Sequence, residues 1–451
     1  MTGTGSTLTA LVSAGDAAAG DLRAGLVEVA GRTVLERQVR QALRAGARRL
    51  WVLAPRLPAD VARRLLALGP VETVPDAACL AQRLAGEAGE MLVLEPGVVL
   101  DERLVEAVAR AEPGPSVLVF DREPPAGAER VAGDVHWASV ARLPASVARE
   151  ALEAHAEWEP ASTLLRVALA EGARLLPVSA LPRYAEGRRR EVPFVWVRPR
   201  GDSGRAEAER ALLDAAQKGC LDWPARFLHP PVENALVRWL WPTAVTPNMV
   251  TLATAVLGLV ALLCFANGLL LPGLLLVLAV GPLDGVDGKL ARTRVEYSRW
   301  GDLEHVLDKI LEYGWFAALG GWFAGQGHGL AAWLAAGGII LFALLEAIHG
   351  EYFRRLTGRQ LDDWGPFERG FRLVAGRRNT FFWTLLPFGL AGLWWEGFLV
   401  LLAYAGLTFA VSHARFLVHL EAYACQEAPA IRRNLAATRY AFLPGRGEQG
   451  S

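Results

Sequence analysis

The sequence predicts an α/β doubly wound domain in its first half and an all-α domain of six transmembrane helices in its second half. Residues 1–245 carry frequent Arg, Glu and Asp between short apolar runs, and these runs alternate with helical patterns. From Met249 onward, long apolar segments alternate with short charged ones, as in helices that cross a bilayer. We expect an α/β domain at 1–204, a linker at 205–245, a membrane domain at 246–425 and a cytosolic tail at 426–451.

Strand and helix patterns follow one another regularly in the first half. Apolar residues at three- and four-residue steps indicate helices, and short β-branched or leucine-rich runs indicate strands. The predicted strands are 7–13, 50–53, 71–74, 91–94 and 116–120, and the predicted helices are 33–45, 59–68, 79–87 and 102–111. Such β-α-β-α order predicts a mostly parallel sheet, and a mixed region follows to about Arg200.

The linker contains two further helical patterns. Residues 205–218 form a polar helix that we expect to end with Gly219 as its cap. Residues 232–241 place Val232, Ala235, Leu236, Trp239 and Leu240 on one face, and tryptophan suits the headgroup boundary of a bilayer. This pattern predicts an interfacial helix that leads into the membrane.

Six segments are candidates for membrane spans. They are residues 249–269, 271–291, 304–324, 330–349, 380–395 and 398–420. The connections at 289–300 and 349–379 are rich in Arg and Lys, and those on the opposite side have none. The positive-inside rule therefore predicts an integral protein of the cell membrane with both termini and the α/β domain on the cytoplasmic side.

Composition argues against several classes of protein. The formal net charge is zero, so nothing in the total points to a nucleic acid partner. The four cysteines are scattered without CxxC spacing, which disfavours a disulfide framework or a zinc site and fits a reducing compartment. The first twenty residues lack a basic segment followed by an apolar one, so we expect no secretory signal.

Four acidic residues stand where the second span ends and the third begins. Asp284 and Asp287 are three residues apart, and Glu304 and Asp308 are four apart, so each pair shares a helix face. A helical hairpin would bring both pairs to the cytosolic rim of the membrane. Four clustered carboxylates repel one another unless cations neutralise them, and oxygen ligands suit Mg²⁺ or Mn²⁺. Two such ions could hold a diphosphate.

The residues around these acids extend the same interpretation. Gly288 would let a ligand approach the helix backbone, and Arg292, one turn further on, would reach a phosphate. The implied chemistry is phosphoryl transfer from a nucleotide diphosphate, with one carboxylate as general base. The alternative is that the four acids are ordinary solvated charges at helix ends.

The stretch resembles the motif of CDP-alcohol phosphotransferases, D-x2-D-G-x2-A-R-x8-G-x3-D-x3-D. It matches from Asp284 to Gly301, after which the motif's spacing would place its last two acids at His305 and Lys309. One residue is missing after Gly301, and a shift by that residue restores Glu304 and Asp308. The resemblance covers about residues 241–420, including the Thr-Pro-Asn at 246–248.

The resemblance implies a role for each matching residue. Asp284, Asp287, Glu304 and Asp308 would bind two divalent ions, Mg²⁺ or Mn²⁺, with Asp287 and Asp308 essential for catalysis and Asp308 as base. The CDP moiety would contact Gly288, Ala291 and Arg292. The family implies a homodimer surrounded by membrane lipids. Such an enzyme moves a phosphoalcohol from a CDP-activated alcohol or CDP-diacylglycerol to an alcohol or phospho-polyol acceptor and releases CMP. The product would belong to phospholipid or inositol-phosphate biosynthesis.

The first half resembles sugar-phosphate nucleotidyltransferases, notably in GLVEVAGRTVLERQVRQALRAGARRLWVLAP. The combined architecture is similar to bifunctional inositol-1-phosphate cytidylyltransferase/di-myo-inositol phosphate phosphate synthases. The glycine-rich loop of that family is reduced here to Gly15, without its Arg and Pro-Lys, and Glu95 stands nearest to the family's metal-binding Asp. We expect a degenerate domain with a structural or regulatory role.

Further cations near the membrane are candidates for an acceptor or headgroup site. Arg377 and Arg378 precede the fifth predicted span, and Arg226 and His229 lie in the linker. Topology-setting or surface roles are the alternatives for these four. Three other functions stay open: a bifunctional enzyme, a catalytically silent scaffold that binds CDP-lipid, and a channel or transporter. The last has the least support, because the acids lie at the membrane edge and not in the middle of the membrane.

Overall fold

The α/β domain has the alternating order that the sequence predicts. The structure, a computed structural model, describes residues 7–15, 24–297, 301–426 and 429, and for 301–305 it describes the backbone alone. The strands are β1 Leu8–Ser13, β2 Glu28–Val29, β3 Arg32–Thr33, β4 Arg49–Leu53, β5 Val71–Val74, β6 Glu90–Leu94, β7 Val99–Leu100, β8 Ser116–Phe120, β9 Arg130–Ala132, β10 Val135–Pro144, β11 Arg174–Pro177, β12 Tyr184–Ala185, β13 Arg190–Glu191 and β14 Trp196–Val197.

Six helices flank these strands. They are α1 Val34–Arg44, α2 Ala59–Leu66, α3 Ala77–Arg83, α4 Glu102–Ala109, α5 Ala145–Ala154 and α6 Pro160–Ala170. Helix α1 begins with a capping box, in which Thr33 accepts from the Glu36 amide and the Glu36 carboxylate accepts from that of Thr33. Helix α3 begins earlier than predicted because Asp76 caps it, accepting from the Cys79 amide at 2.7 Å.

The main sheet has eight strands, seven of them in the order β11-β8-β10-β6-β1-β4-β5, with β9 paired to β10. Strands β6, β1, β4 and β5 are parallel, as predicted, whereas β10 runs antiparallel to both of its neighbours. Side chains alternate between the two faces, so Leu92 and Leu94 of β6 join one core while Met91 and Val93 join the other. Helices cover both faces, which is the doubly wound arrangement.

The linker differs from its prediction at one end. Helix α7, Gly201–Ala216, stops short of Gly219 because Gln217 is extended, with φ −65° and ψ 131°. Gly219 therefore does not cap the helix, and the expectation of a cap was wrong. A Cβ at Gly219 would lie 2.8 Å from Arg190 Cβ, so the glycine allows a close approach to the β13 strand.

Helix α8, His229–Leu240, follows a π-helical turn at Pro224–Leu228. Its buried side chains are His229, Glu233, Val237 and Leu240. Val232 and Trp239 of the predicted apolar face are exposed, Trp239 by 70%. Most of that face thus points away from the protein, as an interfacial helix requires, while Leu240 packs inside.

The second half is helical. Its helices are α9 Pro247–Ala266, α10 Leu270–Arg294, α11 Gly301–Phe323, α12 Gly329–Thr357, α13 Pro366–Val374, α14 Arg378–Leu390 and α15 Trp394–Gln426. Four segments of the described chain are long and apolar enough to cross a membrane: Pro247–Ala266, Leu270–Arg294, Val306–Thr357 and Trp394–Gln426. The predicted count of six is not confirmed, since α14 has 13 residues and one segment joins α11 to α12 through Gly327, where φ is +100°.

One apolar core connects the two halves. Val29, Ala30 and Val34 of the α/β domain pack with side chains of α7, α8 and α10, among them Trp241 just beyond α8 and Leu290. The end of α10 is fastened by hydrogen bonds as well. Buried Arg294 donates to four carbonyls between α8 and α9, those of Leu240, Trp241, Thr243 and Val245, and Arg37 of α1 donates to the Thr293 carbonyl. The α/β domain therefore holds the C-terminal end of the helix that carries the predicted motif.

Candidate active site

A cavity with a volume of about 410 Å³ lies against the C-terminal half of α10. Asp284, Gly288 and Arg292 line it from successive turns of the helix, as spacing of four residues requires. Its other walls come from the linker, from α11 and from the start of α14. The cavity is thus formed by parts of the chain far apart in sequence.

Two of the predicted acids meet at one arginine. The Arg378 Nη2 group lies 2.5 Å from Asp284 Oδ2, and Arg378 Nη1 lies 3.7 Å from Asp308 Oδ2. The predicted hairpin of α10 and α11 does bring Asp284 and Asp308 together, and a guanidinium balances their charge.

Asp287 has a different environment from Asp284. It is buried, and its Oδ2 accepts a hydrogen bond from Thr251 Oγ1 of α9 at 2.7 Å. It therefore turns from the cavity lining toward α9, one turn of helix away from Asp284. The Glu304 side chain lies outside the described residues. Of the residues expected at the CDP moiety, Gly288 and Arg292 line the cavity and Ala291 does not.

The chemistry of this cluster fits a hard divalent cation. Asp284, Asp287 and Asp308 offer oxygen ligands, which Mg²⁺ and Mn²⁺ prefer. Arg378 already supplies a positive charge between two of these acids. Among the side chains that the structure describes, no three His, Cys, Asp or Glu residues are arranged to hold a metal ion. The three described carboxylates are thus of the ligand type that these ions prefer, and the Glu304 side chain is not among the described ones.

The four predicted headgroup residues separate into two kinds. His229, Arg377 and Arg378 line the cavity. Arg377 also pairs with Glu346 of α12 at 2.9 Å. Desolvation lowers the pKa of His229, which favours its neutral form. Arg226 is exposed and lies outside the lining, against the ring of Phe227.

Sequence reasoning missed several lining residues. Arg189, Lys218 and Asp222 come from the α/β domain and the linker, and Asn379 of α14 donates to Asp222 at 3.2 Å. Lys218 lines the cavity, and desolvation there, followed by the charge of Arg292, lowers its pKa. Residue type was an available signal for Lys218, because lysine is rare in this chain.

A second cavity of about 210 Å³ lies beside the first, among α12, α13 and α15. Arg189, Arg372 and Arg377 line both cavities, and Arg415 lines the second. Asp362 accepts hydrogen bonds from Arg189 at 3.0 and 3.2 Å. Arginine side chains therefore continue from the first cavity into the second, where they form ion pairs with the lining carboxylates of Asp362, Glu346 and Glu368.

In the α/β domain, the predicted remnant of a nucleotide site is occupied by the protein itself. Glu95 forms an ion pair with Arg198 and accepts a hydrogen bond from Ser139. Burial raises the pKa of Glu95 despite the opposing charge of Arg198. Gly15 is described, whereas 16–23, the rest of the reduced loop, lie outside the described residues.

Comparison with known families matches residues 244–411 to the model of CDP-alcohol phosphatidyltransferases. The inner membrane protein YnjF of Escherichia coli is 31% identical, over 34% of this chain and 73% of its own. A phosphatidylinositol phosphate synthase of Cutibacterium acnes is 36% identical, over 22% and 46%. A bifunctional IPC transferase and DIPP synthase of Thermococcus kodakarensis is 34% identical, over 25% and 26%.

The chain spans less than half the length of two of these three relatives. Among solved structures, a 4-diphosphocytidyl-2C-methyl-D-erythritol synthase from Anaerococcus prevotii matches with a TM-score of 0.31 and 11% identity, covering 46% of this chain and 98% of its own. The family model spans α10, α11 and α14, which contribute to the cavity lining, and YnjF is matched over most of its length. The chain belongs to the CDP-alcohol phosphatidyltransferase family.

Proposed function

We propose that this chain is a membrane CDP-alcohol phosphotransferase that releases CMP. The observation that carries the proposal is the meeting of Asp284 and Asp308 at one wall of a cavity open to the Gly288 backbone and Arg292. Acids at the membrane edge that share a helix face with a phosphate-binding arginine suit a diphosphate substrate.

In the proposed reaction, the acceptor hydroxyl attacks the phosphorus that carries the alcohol of the donor. The bond from that phosphorus to the CMP oxygen breaks, and CMP leaves. Asp308 takes the proton of the hydroxyl as general base. Gly288 and Arg292 hold the CDP moiety. Asp284, Asp287, Glu304 and Asp308 would hold two divalent ions, Mg²⁺ or Mn²⁺, which would neutralise the diphosphate.

The acceptor would bind on the side of the cavity formed by α14 and the linker. Arg377, Arg378 and His229 line that side, and Arg372 and Arg415 continue it into the second cavity. These cations favour a phospho-polyol over an uncharged alcohol. The donor would be a CDP-activated polyol or CDP-diacylglycerol, and the product a phospholipid or an inositol phosphate.

The wider arrangement belongs to the same proposal. We infer six membrane crossings, with α11 and α12 as two of them and α14 as a short one. The basic connections support a cytoplasmic side for the cavity and both termini. The family resemblance favours a homodimer.

The test is CMP release by the purified protein with CDP-diacylglycerol or CDP-inositol, a pool of acceptors and Mg²⁺, with products identified by mass spectrometry. Asp287→Asn and Asp308→Asn should each abolish release, because each removes a carboxylate that the reaction needs. Asp60→Asn, on the exposed face of α2, is the matched control and should keep wild-type turnover. Wild-type, metal-dependent turnover in either site variant would refute the assignment.

A bifunctional enzyme is the second candidate, and the name of the Thermococcus kodakarensis relative supports it. The Glu95–Arg198 pair argues against it, since it places a guanidinium on the acid where a nucleotide-bound metal would be needed. The full-length Asp308→Asn variant, given CTP and sugar-alcohol phosphates, should release no pyrophosphate. Release would establish cytidylyl transfer, and CDP-lipid binding without CMP release by the wild type would indicate a silent scaffold.

A further inference from the structure

Lysine has a singular distribution in this protein. Only three of its 47 Lys and Arg residues are lysines, Lys218, Lys289 and Lys309, and all three line the larger cavity. All of the other residues in this set are arginines. A lysine offers a compact charge with three donors and can contact one phosphate oxygen where a planar guanidinium would not fit.

Two of the three lysines have carboxylate partners. Lys289 Nζ lies 2.8 Å from Glu233, and Lys309 Nζ lies 2.7 Å from Glu312. Lys218 forms no ion pair within 4.0 Å with any carboxylate of the described residues, although its side chain opens into the cavity. It is therefore the lysine whose charge the protein leaves without a direct counterion there.

The backbone around Lys218 is held firmly. The Gly219 amide donates to the Arg188 carbonyl at 2.6 Å, and the Cys220 thiol donates to the Asp362 carbonyl at 2.9 Å. A side chain at Gly219 would collide with Arg190. These contacts hold the backbone at Lys218 between the β12–β13 hairpin and the loop before α13. The position of Lys218 at the cavity is therefore set by the fold.

Arg292 lines the same cavity as Lys218 and likewise lacks a carboxylate partner among the described residues. Its Nε donates to the Ala216 carbonyl at 2.9 Å, and within the described residues it too forms no ion pair. The two neighbouring cations repel each other, and desolvation together with this repulsion lowers the pKa of Lys218. An anion between them would offset the repulsion, and the absence of a side chain at Gly288 lets the Arg292 guanidinium lie against the helix there, within 3.0 to 3.2 Å of where a Cβ would be.

We propose that Lys218 is a substrate-binding residue whose ammonium donates to a phosphate oxygen of the nucleotide diphosphate, together with Arg292. The inference rests on the proposed function for the identity of that diphosphate. On this proposal, the α/β domain and α7 position the substrate-binding Lys218 at the site in the membrane domain.

The first experiment uses the rarity of lysine. The detergent-purified wild-type protein is acetylated briefly with an amine-specific reagent, and each lysine is quantified by mass spectrometry against the α-amino group as internal reference. CDP with Mg²⁺ should reduce acetylation of Lys218 about fivefold or more, because the ammonium then contacts phosphate. Parallel samples contain inorganic phosphate or glycerol 3-phosphate instead.

Each outcome decides the proposal. Protection by CDP supports it. Protection by glycerol 3-phosphate or inorganic phosphate but not by CDP overturns the donor assignment and makes Lys218 an acceptor ligand. Unchanged acetylation in all samples overturns the site altogether.

The second experiment compares Lys218→Met with Lys218→Arg. The Met variant should raise the donor KM about tenfold or more with kcat largely kept, since a hydrogen bond to a charged group is lost. The Arg variant should recover part of the affinity, and both should unfold at wild-type temperature. An unchanged KM in Lys218→Met, or a loss of kcat alone, contradicts a binding role.

Failure of this inference can be told from failure of the proposed function. CMP release by a protein whose Lys218 is not protected by CDP defeats the inference and leaves the function standing. Protection without any CMP release defeats the function and leaves Lys218 as a nucleotide ligand.

Discussion

Arg378 Nη2 lies 2.5 Å from the Asp284 carboxylate and thereby ties the start of α14 to the C-terminal half of α10. The same guanidinium reaches Asp308 of α11 at 3.7 Å. A fixed cation thus stands between two acids that the family motif assigns to metal. Arg378 balances their repulsion in the chain as described, and a divalent ion would share that task.

Arg378→Gln should increase the stabilisation of the protein by Mg²⁺. Without the guanidinium, Asp284 and Asp308 repel each other until a cation binds, so a bound ion contributes more to the folded state. The measurement is the Tm in detergent with EDTA and with Mg²⁺. Arg377→Gln is the control, because Arg377 pairs with Glu346 instead. Equal Mg²⁺ shifts in wild type and Arg378→Gln would show that no ion binds beside these acids.

Arg294→Met should destabilise the protein strongly. Its guanidinium is fully buried and donates to four carbonyls between α8 and α9, at 2.6 to 3.0 Å, so the substitution leaves them without those donors. We expect the free energy of unfolding to fall by about 3 kcal/mol, measured by denaturant titration in detergent. Arg63→Met, on the exposed face of α2, should change it little. A similar small effect at both positions would mean that the end of α10 is held by apolar packing alone.

Gly31→Ala should separate the α/β domain from the membrane domain. Its φ is +72°, and a Cβ there would lie 1.7 Å from the Trp241 carbonyl oxygen. Gly172→Ala is a matched control, since Gly172 also has φ +72° but no heavy atom within 4 Å of the added Cβ. Backbone strain costs about 1–2 kcal/mol at both positions, and only Gly31→Ala should also lower the Tm through the clash.

Limited proteolysis of the linker reports on the same contact. Cleavage between the halves should become faster in Gly31→Ala than in Gly172→Ala, because the shared core opens. Equal Tm values and equal cleavage rates in the two variants would exclude a structural role for this close approach.

His229→Gln should reduce the dependence of stability on pH. Desolvation holds the pKa of His229 below its ordinary value of about 6.5, against the raising effect of Asp222. The unfolded chain therefore binds this proton more readily, so the contribution to stability is present above about pH 6.5 and is lost as the pH falls through the folded pKa. The fall in Tm from pH 8 to pH 5.5 should be smaller in His229→Gln than in the wild type. An identical fall would place the acid sensitivity elsewhere.

Local patterns predicted much of the α/β domain. Val71–Val74 and Ser116–Phe120 form strands at the expected bounds, because short apolar runs between turn signals are a local property. The antiparallel β10 was not predicted, since strand direction depends on which partners meet in the folded sheet. The end of α7 was misplaced because Gly219 serves a contact with β13, which no local pattern records.

The site divides in the same way. Helical spacing placed Arg292 one turn beyond Gly288, and both residues line the cavity together with Asp284. Helical spacing also predicted that Asp287 shares a helix face with Asp284, but the Asp287 carboxylate turns toward α9, where it accepts a hydrogen bond from Thr251. The motif match is a prediction about chemistry, and the roles of its acids await the variants described above.

By itself, the sequence determined the family motif, the order of the elements and the faces that helical periodicity creates, because these depend on neighbours along the chain. Only the tertiary structure decided that Arg378 meets Asp284 across 94 positions and that Lys218 reaches the cavity from the linker. Such contacts arise when apolar faces of distant segments pack together. Their partners are set by the shape and burial of the whole core, which no local pattern contains.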